Sequence, residues 1–425
     1  MISKKFKAYV VAVDMGYGHQ RAADPLKKYA VGGVINANSY SGIPQSDRKI
    51  WKNSRQFYEK ISQLKSLPLI GDKLWRVYDH FQKIPPFYPK RDLSAPNIQL
   101  KSMYQLIKKQ NWGRDLIEKL DKKPLPLITT FFATAFMAEE FGYRQEIYCV
   151  ACDADISRSW APLKPSLSRI KYITPTKRVA ERLKQYGVRS ENIYEFGFPL
   201  PKLLTSSVKK DLARRILALD PMGKFRSHYN DLVVENLGKI KKVKTPKPVR
   251  IMFAVGGAGA QREIGAEIIT SLRELIKNNK IQLTLVAGIH NEVASFFKNS
   301  LRKNGLVGLL GKGVNIISAT SKDEYFDKFN KEFKRCDILW TKPSELSFYS
   351  ELGMPIIIAP PIGSQEDFNA SWLLKMGAGI MQYDPRFTHQ WLVDWLNNGW
   401  LAEAAMQGYI EGDRGGLVAI EKLLN

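Results

Sequence analysis

The chain has 425 residues, in which 65 lysines and arginines against 41 aspartates and glutamates give a formal net charge of +24 at pH 7. At roughly 100–200 residues per domain this length predicts two or three domains, and the 44% of hydrophobic residues exclude a disordered tail. Three cysteines are too few for a disulfide-stabilised scaffold. The excess of positive charge predicts an anionic partner, which is a nucleic acid, an anionic membrane surface or a phosphorylated ligand.

No targeting or membrane-spanning segment is predicted. The apolar run that follows Lys4, Lys5 and Lys7 ends at Asp14, which is too short for a signal peptide. The longest uncharged run, 124–138, contains two prolines and falls short of the ~20 residues that a spanning helix needs. We therefore expect a cytoplasmic protein that lies on a membrane surface rather than crossing the membrane.

Short apolar segments alternate with helical segments in the first half of the chain, which predicts an α/β fold. The run at 8–13 is continuously apolar, as expected of a parallel strand that is buried on both faces. In chain order, the predicted elements are a strand at 8–13, a helix at 20–29, strands at 125–130 and 146–151, and a helix at 178–186. These elements predict a first Rossmann-like domain over residues 1–205.

A basic and aromatic stretch at 48–91 interrupts this pattern. Its eleven basic residues against three acidic ones are interleaved with aromatic residues. This combination is typical of an anionic lipid interface and also suits single-stranded nucleic acid, while a solvated basic helix over a core is the third interpretation. The candidate membrane-binding residues are Lys49, Trp51, Lys52, Arg55, Lys73, Trp75 and Arg76.

A second α/β unit follows a lysine-rich segment that is predicted to form a helix and a linker. The predicted elements of this unit are strands at 250–255, 281–287, 337–340 and 355–359, and helices from residue 263 and over 389–425. Two similar halves predict two Rossmann-like domains that face a cleft. The expected boundaries are 1–205 for the acceptor and membrane-facing domain, 206–248 for the basic segment, 249–388 for the donor domain, and 389–425 for helices that pack back onto the first domain.

The first candidate site is Gly16-Tyr17-Gly18-His19, directly after the strand at 8–13. Glycines at a strand-to-helix turn let a ligand approach the backbone, and the N-terminus of the next helix favours anions. His19 beside that helix start can accept a proton near neutral pH. The alternative is a turn histidine that is bonded to the backbone.

The second candidate site is Gly256-Gly257-Ala258-Gly259-Ala260, directly after the strand at 250–255. Its small residues and backbone amides can hold a diphosphate, and Arg262 can add a charge-assisted hydrogen bond. Tight packing of helix on strand is the alternative explanation. Neither glycine turn matches G-x-x-x-x-G-K-[ST], which disfavours a P-loop ATPase.

Polar residues after the strand at 355–359 form the third candidate site. Gln365, Glu366 and Asn369 follow the carboxyl end of a strand, where α/β sheets bind ligands, so they can bind sugar hydroxyls or simply cap a helix. The tripeptide Asp153-Ala154-Asp155 has the spacing of a divalent-metal motif, but so short a match arises readily by chance. We expect no metal site.

Together these motifs resemble the GT-B glycosyltransferases that include monogalactosyldiacylglycerol synthases and processive diacylglycerol glucosyltransferases. A more distant resemblance is to the N-acetylglucosaminyl transferase of lipid II synthesis. The segments that carry the resemblance are Gly16–Ala23, Tyr58–Tyr78, Asp153 with Trp160, Thr174–Pro199, Gly256–Gly259, Ala287–Asn291 and Gln365–Ala370.

The resemblance implies the GT-B fold, in which two Rossmann-like domains with parallel sheets face a central cleft. It implies inverting, metal-independent transfer of a sugar from a nucleotide-sugar, expected to be a UDP-sugar, to a lipid acceptor at the cytoplasmic membrane surface. The nucleotide-sugar is the substrate, and no cofactor is implied. His19 is the implied catalytic base or acceptor contact, and Asp153 is a second candidate base or the residue that orients His19.

In the donor domain the resemblance assigns the diphosphate to the amides of Gly257–Ala260 and to Arg262. It assigns uracil to the turn from Gly288 to Asn291, and the sugar to Gln365, Glu366 and Asn369. The family usually has Lys/Arg-Pro-Gly-Gly before a glutamate that binds the ribose. Here the sequence reads Lys342-Pro343-Ser344-Glu345 and is about two residues shorter, so the ribose-binding residue is either Glu345 or Glu351.

Two other functions remain open at this point. A sugar-nucleotide epimerase has the same two-domain form, but its usual carboxylate-rich cleft is not evident in the sequence. A nucleic-acid-binding protein without catalytic activity explains the charge but leaves the glycine turns unexplained, so nucleic acid is the less expected partner.

Overall fold

A computed structural model describes residues 6–64, 84–240, 248–254, 256, 259 and 261–424, the side chains of 55–64 and of Ser364 excepted. The chain forms two compact units. Unit 1 comprises Met1–Leu200, Ile362–Asn369 and Asp413–Asn425, and unit 2 comprises Pro201–Pro361 and Ala370–Gly412.

Unit 1 is built around a parallel sheet, which we call sheet 1. Its described strands are β1 (Ala8–Ala12), β2 (Ala30–Asn36), β3 (Leu127–Thr129), β4 (Ile147–Val150), β5 (Lys171–Thr174) and β6 (Ile193–Glu195). They lie side by side in the order β2-β1-β3-β4-β5-β6. Successive residues of a strand point to opposite faces, so Val11 and Leu127 enter one core while Val10 and Ile128 enter another.

Helices cover both faces of sheet 1. They are α1 (Gly18–Ala23), α2 (Gln45–Leu64), α3 (Ile98–Gln110), α4 (Arg114–Asp121), α5 (Phe132–Glu140) and α6 (Lys177–Gln185), with 3₁₀ turns at Asp24–Tyr29, Arg158–Trp160, Pro165–Leu167 and Ser190–Asn192. Local signals set two of their starts, since Asn97 accepts a hydrogen bond from Leu100 N and Thr176 from Val179 N. Burial of both sheet faces explains the continuously apolar strands.

Unit 2 contains a second parallel sheet, sheet 2. Its described strands are β7 (Val249–Ala254), β8 (Ile281–Gly288), β9 (Val314–Ser318), β10 (Ile338–Thr341), β11 (Ile356–Ile358) and β12 (Gly379–Met381). Their order is β12-β11-β10-β7-β8-β9. Numbered within the sheet and read from β9, this is the order 3-2-1-4-5-6 of doubly wound α/β folds.

The helices around sheet 2 include the segment that was predicted to be partly a linker. They are α7 (Lys202–Thr205), α8 (Val208–Leu219), α9 (Lys224–His228), α10 (Asn230–Leu237), α11 (Arg262–Lys277), α12 (Asn291–Lys303), α13 (Lys322–Arg335), α14 (Ser364–Lys375), α15 (Thr388–Asn398) and α16 (Trp400–Glu411). The 3₁₀ segments are Val307–Leu309, Glu345–Leu352 and Pro385–Phe387. The last helix of the chain is α17 (Gly416–Leu424).

The α/β class with two Rossmann-like units is confirmed by the two parallel sheets. The basic segment 206–248 differs from expectation, because its described residues 206–240 form α8 to α10 within unit 2. The reason lies in α8, whose buried Arg215 donates to the carbonyl oxygens of Cys336 and Leu352 at 3.1 and 2.8 Å. Residues 241–247 lie outside the described part of the chain.

The C-terminal segment 389–425 is divided between the units rather than packing as a whole on the first one. Helices α15 and α16 belong to unit 2, and only the chain from Asp413 belongs to unit 1. Leu417 and Ile420 of α17 pack against β1 residues such as Val10, and Glu421 hydrogen-bonds to Lys28 and Tyr29. Among the described helices, none is long and apolar enough to span a membrane.

Candidate active site

His19 and Thr130 lie at the point where the strand order of sheet 1 reverses. Strands β1 and β3 are neighbours, while β2 lies on the other side of β1. His19 is in α1 after β1, and Thr130 directly follows β3. Open α/β sheets bind ligands outside the carboxyl ends of their strands at such a switch point, so the fold places His19 where a ligand is expected.

The His19 ring is fixed by a short hydrogen bond. Its Nδ1 lies 2.6 Å from the carbonyl oxygen of Thr130, and Thr130 Oγ1 donates to the His19 carbonyl oxygen at 2.8 Å. A carbonyl oxygen can only accept, so Nδ1 carries the proton, and in the neutral ring Nε2 keeps its lone pair. The ring contacts Phe131 edge-on at 4.9 Å between centroids and lies 6.3 Å from Trp160.

The environment of His19 favours the neutral imidazole. Burial lowers the pKa of His19 to about 4, and the hydrogen bond to Thr130 opposes that change only in part. The ring is therefore neutral at pH 7, in the protonation state that accepts a proton at Nε2. The acceptor that orients Nδ1 is Thr130, and the role of Asp153 as a second base or an orienting residue stays a prediction.

Asp153 follows β4 and is held by Asn369. The fully buried Asn369 side chain accepts from Ala154 N at 2.7 Å and donates to Asp153 Oδ1 at 3.1 Å, both within unit 1. Asn369 was predicted to contact the sugar, whereas the structure uses its amide to position the Asp153 turn. This link joins two of the predicted site segments that are far apart in sequence.

The second carboxylate of the D-x-D motif has a structural role. Asp155 receives two hydrogen bonds from the Arg182 guanidinium, at 2.9 Å from Nε and 2.8 Å from Nη2, and both side chains are almost fully buried. Both oxygens of the Asp155 carboxylate are thus hydrogen-bonded to Arg182. Within the described residues, no group of three or more His, Cys, Asp or Glu side chains is placed to hold a metal ion.

The second glycine turn lies at the switch point of sheet 2, where β7 and β10 are neighbours. Gly256 follows β7 and Lys342 follows β10, and a Cβ atom built on Gly256 would lie 2.6 Å from Lys342 Cε. Gly257 lies outside the described residues. Lys342 is not among the residues that the sequence predicts as ligands.

The described part of this turn is tightly folded. Gly259 N donates to Gly256 O at 2.8 Å, and Gly259 has a φ of 69°. A Cβ atom at Gly259 would lie 2.8 Å from Val293 in the first turn of α12. Gln261 Nε2 donates to Pro360 O at 2.6 Å, which fixes the start of α11 beside the carboxyl end of β11.

The Arg262 side chain contacts residues of α11 and α12. Its Nε lies 3.1 Å from Glu263 Oε1, and its guanidinium lies 5.0 Å from the centre of the Phe296 ring. The side chain thus pairs with its neighbour on α11 and stacks on α12, and its role at a diphosphate stays a prediction.

The predicted uracil turn ends β8. Gly288, with a φ of 66°, accepts a hydrogen bond from Ala319 N at 2.9 Å. Asn291 is the first residue of α12 and lines a surface cavity of about 520 Å³, together with Lys298 and Ser318. A polar cavity therefore adjoins the turn.

The two candidate ribose glutamates differ in position. Glu345 opens the 3₁₀ segment just after β10, near the carboxyl end of sheet 2. Glu351 is buried at the far end of this segment, and its Cβ lies 2.5 Å from where a Cβ on Gly412 would be. Glu345 is also buried, so burial does not separate the two candidates.

The remaining predicted ligand residues lie in turns at strand ends. Gly16, with a φ of 122°, is exposed, and Gly18 begins α1. Gln365 and Glu366 are half-buried in the first turn of α14, where Glu366 Oε2 accepts from Ile362 N at 2.7 Å. Glu366 therefore caps its own helix.

The predicted membrane residues fall into three groups. Lys49 and Lys52 are exposed on α2. Trp51 is 4% exposed and packs against Trp112 at 4.7 Å between ring centroids, so it belongs to the core and is not a membrane anchor. The side chain of Arg55 and residues Lys73, Trp75 and Arg76 lie outside what the structure describes.

The chain is similar over most of its length to curated bacterial proteins. It is 22% identical over 392 residues to the processive diacylglycerol beta-glucosyltransferase of Bacillus cereus (strain AH187), covering 90% of this chain and 83% of that protein. Identity and coverage are the same for the protein of that name from Bacillus mycoides (strain KBAB4). This similarity confirms the resemblance that the motifs indicated.

Solved structures show a more distant likeness. MurG of Acinetobacter baumannii is 9% identical, with 98% of this chain and 99% of that chain covered and a TM-score of 0.46. The S. aureus MnaA–UDP co-structure is 14% identical, with 98% and 95% covered and a TM-score of 0.47. A family model described as a domain of unknown function (DUF6938) matches residues 227–333.

Proposed function

We propose that this protein is a glycosyltransferase that transfers a sugar from a UDP-sugar to a lipid acceptor at a membrane surface. The activity named for the Bacillus relatives, which align with 90% of this chain, supports the proposal. The structural observation that carries it is His19, a neutral imidazole whose Nδ1 is bonded to Thr130 O at the switch point of sheet 1. The UDP-sugar is itself the substrate, and the reaction uses no cofactor.

In this mechanism unit 1 supplies the base. Nε2 of His19 takes the proton of the acceptor hydroxyl while its oxygen forms a bond to the anomeric carbon. The bond from that carbon to the diphosphate breaks, and the configuration inverts. The carbonyl of Thr130 stabilises the imidazolium through the Nδ1–H hydrogen bond. Asp153, positioned by Asn369, is the second candidate base.

Unit 2 binds the donor. The leaving diphosphate lies at the turn between Gly256 and Gln261, where the backbone amides at the start of α11 favour an anion. The uracil lies at the Gly288–Asn291 turn, beside the cavity of about 520 Å³. Glu345 of unit 2 binds the ribose. Fixed amide dipoles and a protein cation replace a metal ion in stabilising the leaving group.

A membrane surface supplies the acceptor. The exposed Lys49 and Lys52 of α2 belong to the basic stretch 48–91, which attracts anionic lipid. Each cation near an anionic leaflet contributes ~1 kcal/mol of attraction at low ionic strength. The excess of positive charge thus brings the enzyme to its insoluble substrate.

Thermal unfolding with UDP, GDP, ADP and TDP, and with their sugar conjugates, tests the donor assignment. The experiment is run in EDTA, so that any stabilisation is independent of metal. A ligand at about 100 times its Kd stabilises the fold by ~2.7 kcal/mol, a shift of a few degrees for a protein of this size. We expect a shift with UDP and UDP-sugars alone, and no shift with any nucleotide contradicts the proposal.

A further inference from the structure

Lys342 lies against the glycine turn at the switch point of sheet 2. It directly follows β10, the central neighbour of β7, and Gly256 follows β7. A Cβ atom on Gly256 would lie 2.6 Å from Lys342 Cε, 3.1 Å from Cδ and 3.3 Å from Nζ. The lysine stem therefore passes over the Gly256 backbone, and the ammonium group sits beside the turn.

The absence of a side chain at residue 256 is explained by this contact. The φ angle of Gly256 is outside the left-handed region, so the backbone conformation does not demand glycine there. A larger residue would displace the far end of the Lys342 side chain. Gly256 and the Lys342 side chain are therefore in close contact.

A diphosphate bound at this turn would need a positive charge, which Lys342 can supply. A diphosphate leaving group needs a cation because its negative charge increases as the bond to the sugar breaks. Arg262, the cation that the sequence suggested, is engaged with Glu263 and stacked on Phe296. Lys342 is a cationic side chain that the described structure places in contact with Gly256.

We infer that Lys342, and not Arg262, is the residue whose positive charge binds the diphosphate of the nucleotide-sugar. The inference rests on the proposed function, because it assigns a residue within the proposed donor site. A lysine ammonium binds phosphate oxygens as a compact point charge and can follow them as the leaving group departs. The contact of the Lys342 stem with Gly256 places that charge beside the glycine turn.

Isothermal titration of the full-length protein with UDP and with uridine tests the inference. Lys342→Met keeps the stem and removes the charge, and Arg262→Met is the matched control. We expect Lys342→Met to raise the Kd for UDP by about 10- to 100-fold, the range of one charge-assisted hydrogen bond. The Kd for uridine should stay the same, whereas a merely structural role of Lys342 would weaken both ligands.

A substitution of Gly256 tests the same contact between Lys342 and the glycine turn. Gly256→Ala keeps the lysine but places a Cβ atom in the space of its stem, so it should also weaken UDP binding selectively. Unchanged UDP binding by Lys342→Met, or a larger loss in Arg262→Met, overturns the inference while leaving the proposed function standing. Failure of the wild-type protein to bind UDP overturns the proposed function itself.

Discussion

His19 and Thr130 are joined by two hydrogen bonds in opposite directions. Nδ1 of His19 donates to the Thr130 carbonyl oxygen at 2.6 Å, and Thr130 Oγ1 donates to the His19 carbonyl oxygen at 2.8 Å. The pair bridges the first turns after two adjacent strands, so the sheet itself sets the orientation of the imidazole. A side chain held in this way loses little entropy when it meets its substrate.

Replacing His19 should remove the base without unfolding the protein. His19→Asn, an amide of similar size, is expected to lower kcat by roughly 10²–10⁴, the usual contribution of one general base. The measurement is UDP release in the presence of lipid acceptor, with the Kd for UDP as the control for an intact donor site. Near-normal kcat in this variant would assign the base to another residue, with Asp153 the next to test.

The lowered pKa of His19 has a consequence for activity. Because burial lowers its pKa to about 4, the imidazole stays neutral well below pH 6.5. We expect kcat/KM to stay level from pH 7 to about pH 5.5 and to fall only as the pH approaches 4. A decline centred near pH 6.5 would mean that a histidine with an ordinary pKa is the base.

The same shift links His19 to stability. Between pH 6.5 and pH 4 the unfolded chain binds a proton at His19 that the folded protein does not, so the free energy of unfolding decreases as the pH falls. The loss begins below pH 6.5, grows as the pH falls and levels off below about pH 4. Urea unfolding at pH 7 and pH 5 should show a larger loss for the wild type than for His19→Asn. Equal losses would contradict the shift.

The buried ion pair between Asp155 and Arg182 should be structural. Arg182→Met leaves a buried carboxylate without its bidentate partner and is expected to destabilise the fold by about 3–5 kcal/mol. Arg386→Gln, which breaks the exposed pair with Asp384, is the control and should leave the melting temperature unchanged. Equal effects of the two variants would show that Asp155 has other support.

Membrane binding should depend on where the charge lies and not on its total. Changing Lys49, Lys52, Arg55, Lys73 and Arg76 to glutamine should abolish sedimentation with anionic vesicles. The matched control changes five exposed cations of unit 2 to glutamine, which are Lys298, Arg302, Lys303, Lys312 and Lys331. Similar losses in both variants would show that the binding depends only on non-specific charge. Sedimentation of the 49–76 variant that is unchanged and insensitive to salt would contradict membrane binding by this stretch.

The sequence was sufficient to predict the strands, because residues such as Val10 and Ile356 belong to short apolar runs bounded by turns. It could not predict which strands are neighbours. The pairings of His19 with Thr130 and of Gly256 with Lys342 both depend on strand order. No local signal marks Thr130 as a site residue, and the motif that begins at Lys342 does not indicate its contact with Gly256.

Two other predictions relied on residue composition and overlooked the buried side of a helix. Trp51 lies in a basic stretch, but its side of α2 faces Trp112 and Phe131 in the core. The lysine-rich segment 206–248 was taken partly as a linker, although Leu212, Ile216 and Leu219 follow the helical spacing of a buried face. Helical periodicity in both segments was the signal that could have corrected the prediction.

The most direct test of the account is transfer from a UDP-sugar to diacylglycerol in anionic vesicles, measured as UDP release in the presence of EDTA. We expect UDP release that requires the lipid acceptor and proceeds without metal. In His19→Asn the rate of release should fall by at least about 100-fold. Release that is independent of acceptor, or that is undiminished in His19→Asn, would contradict it.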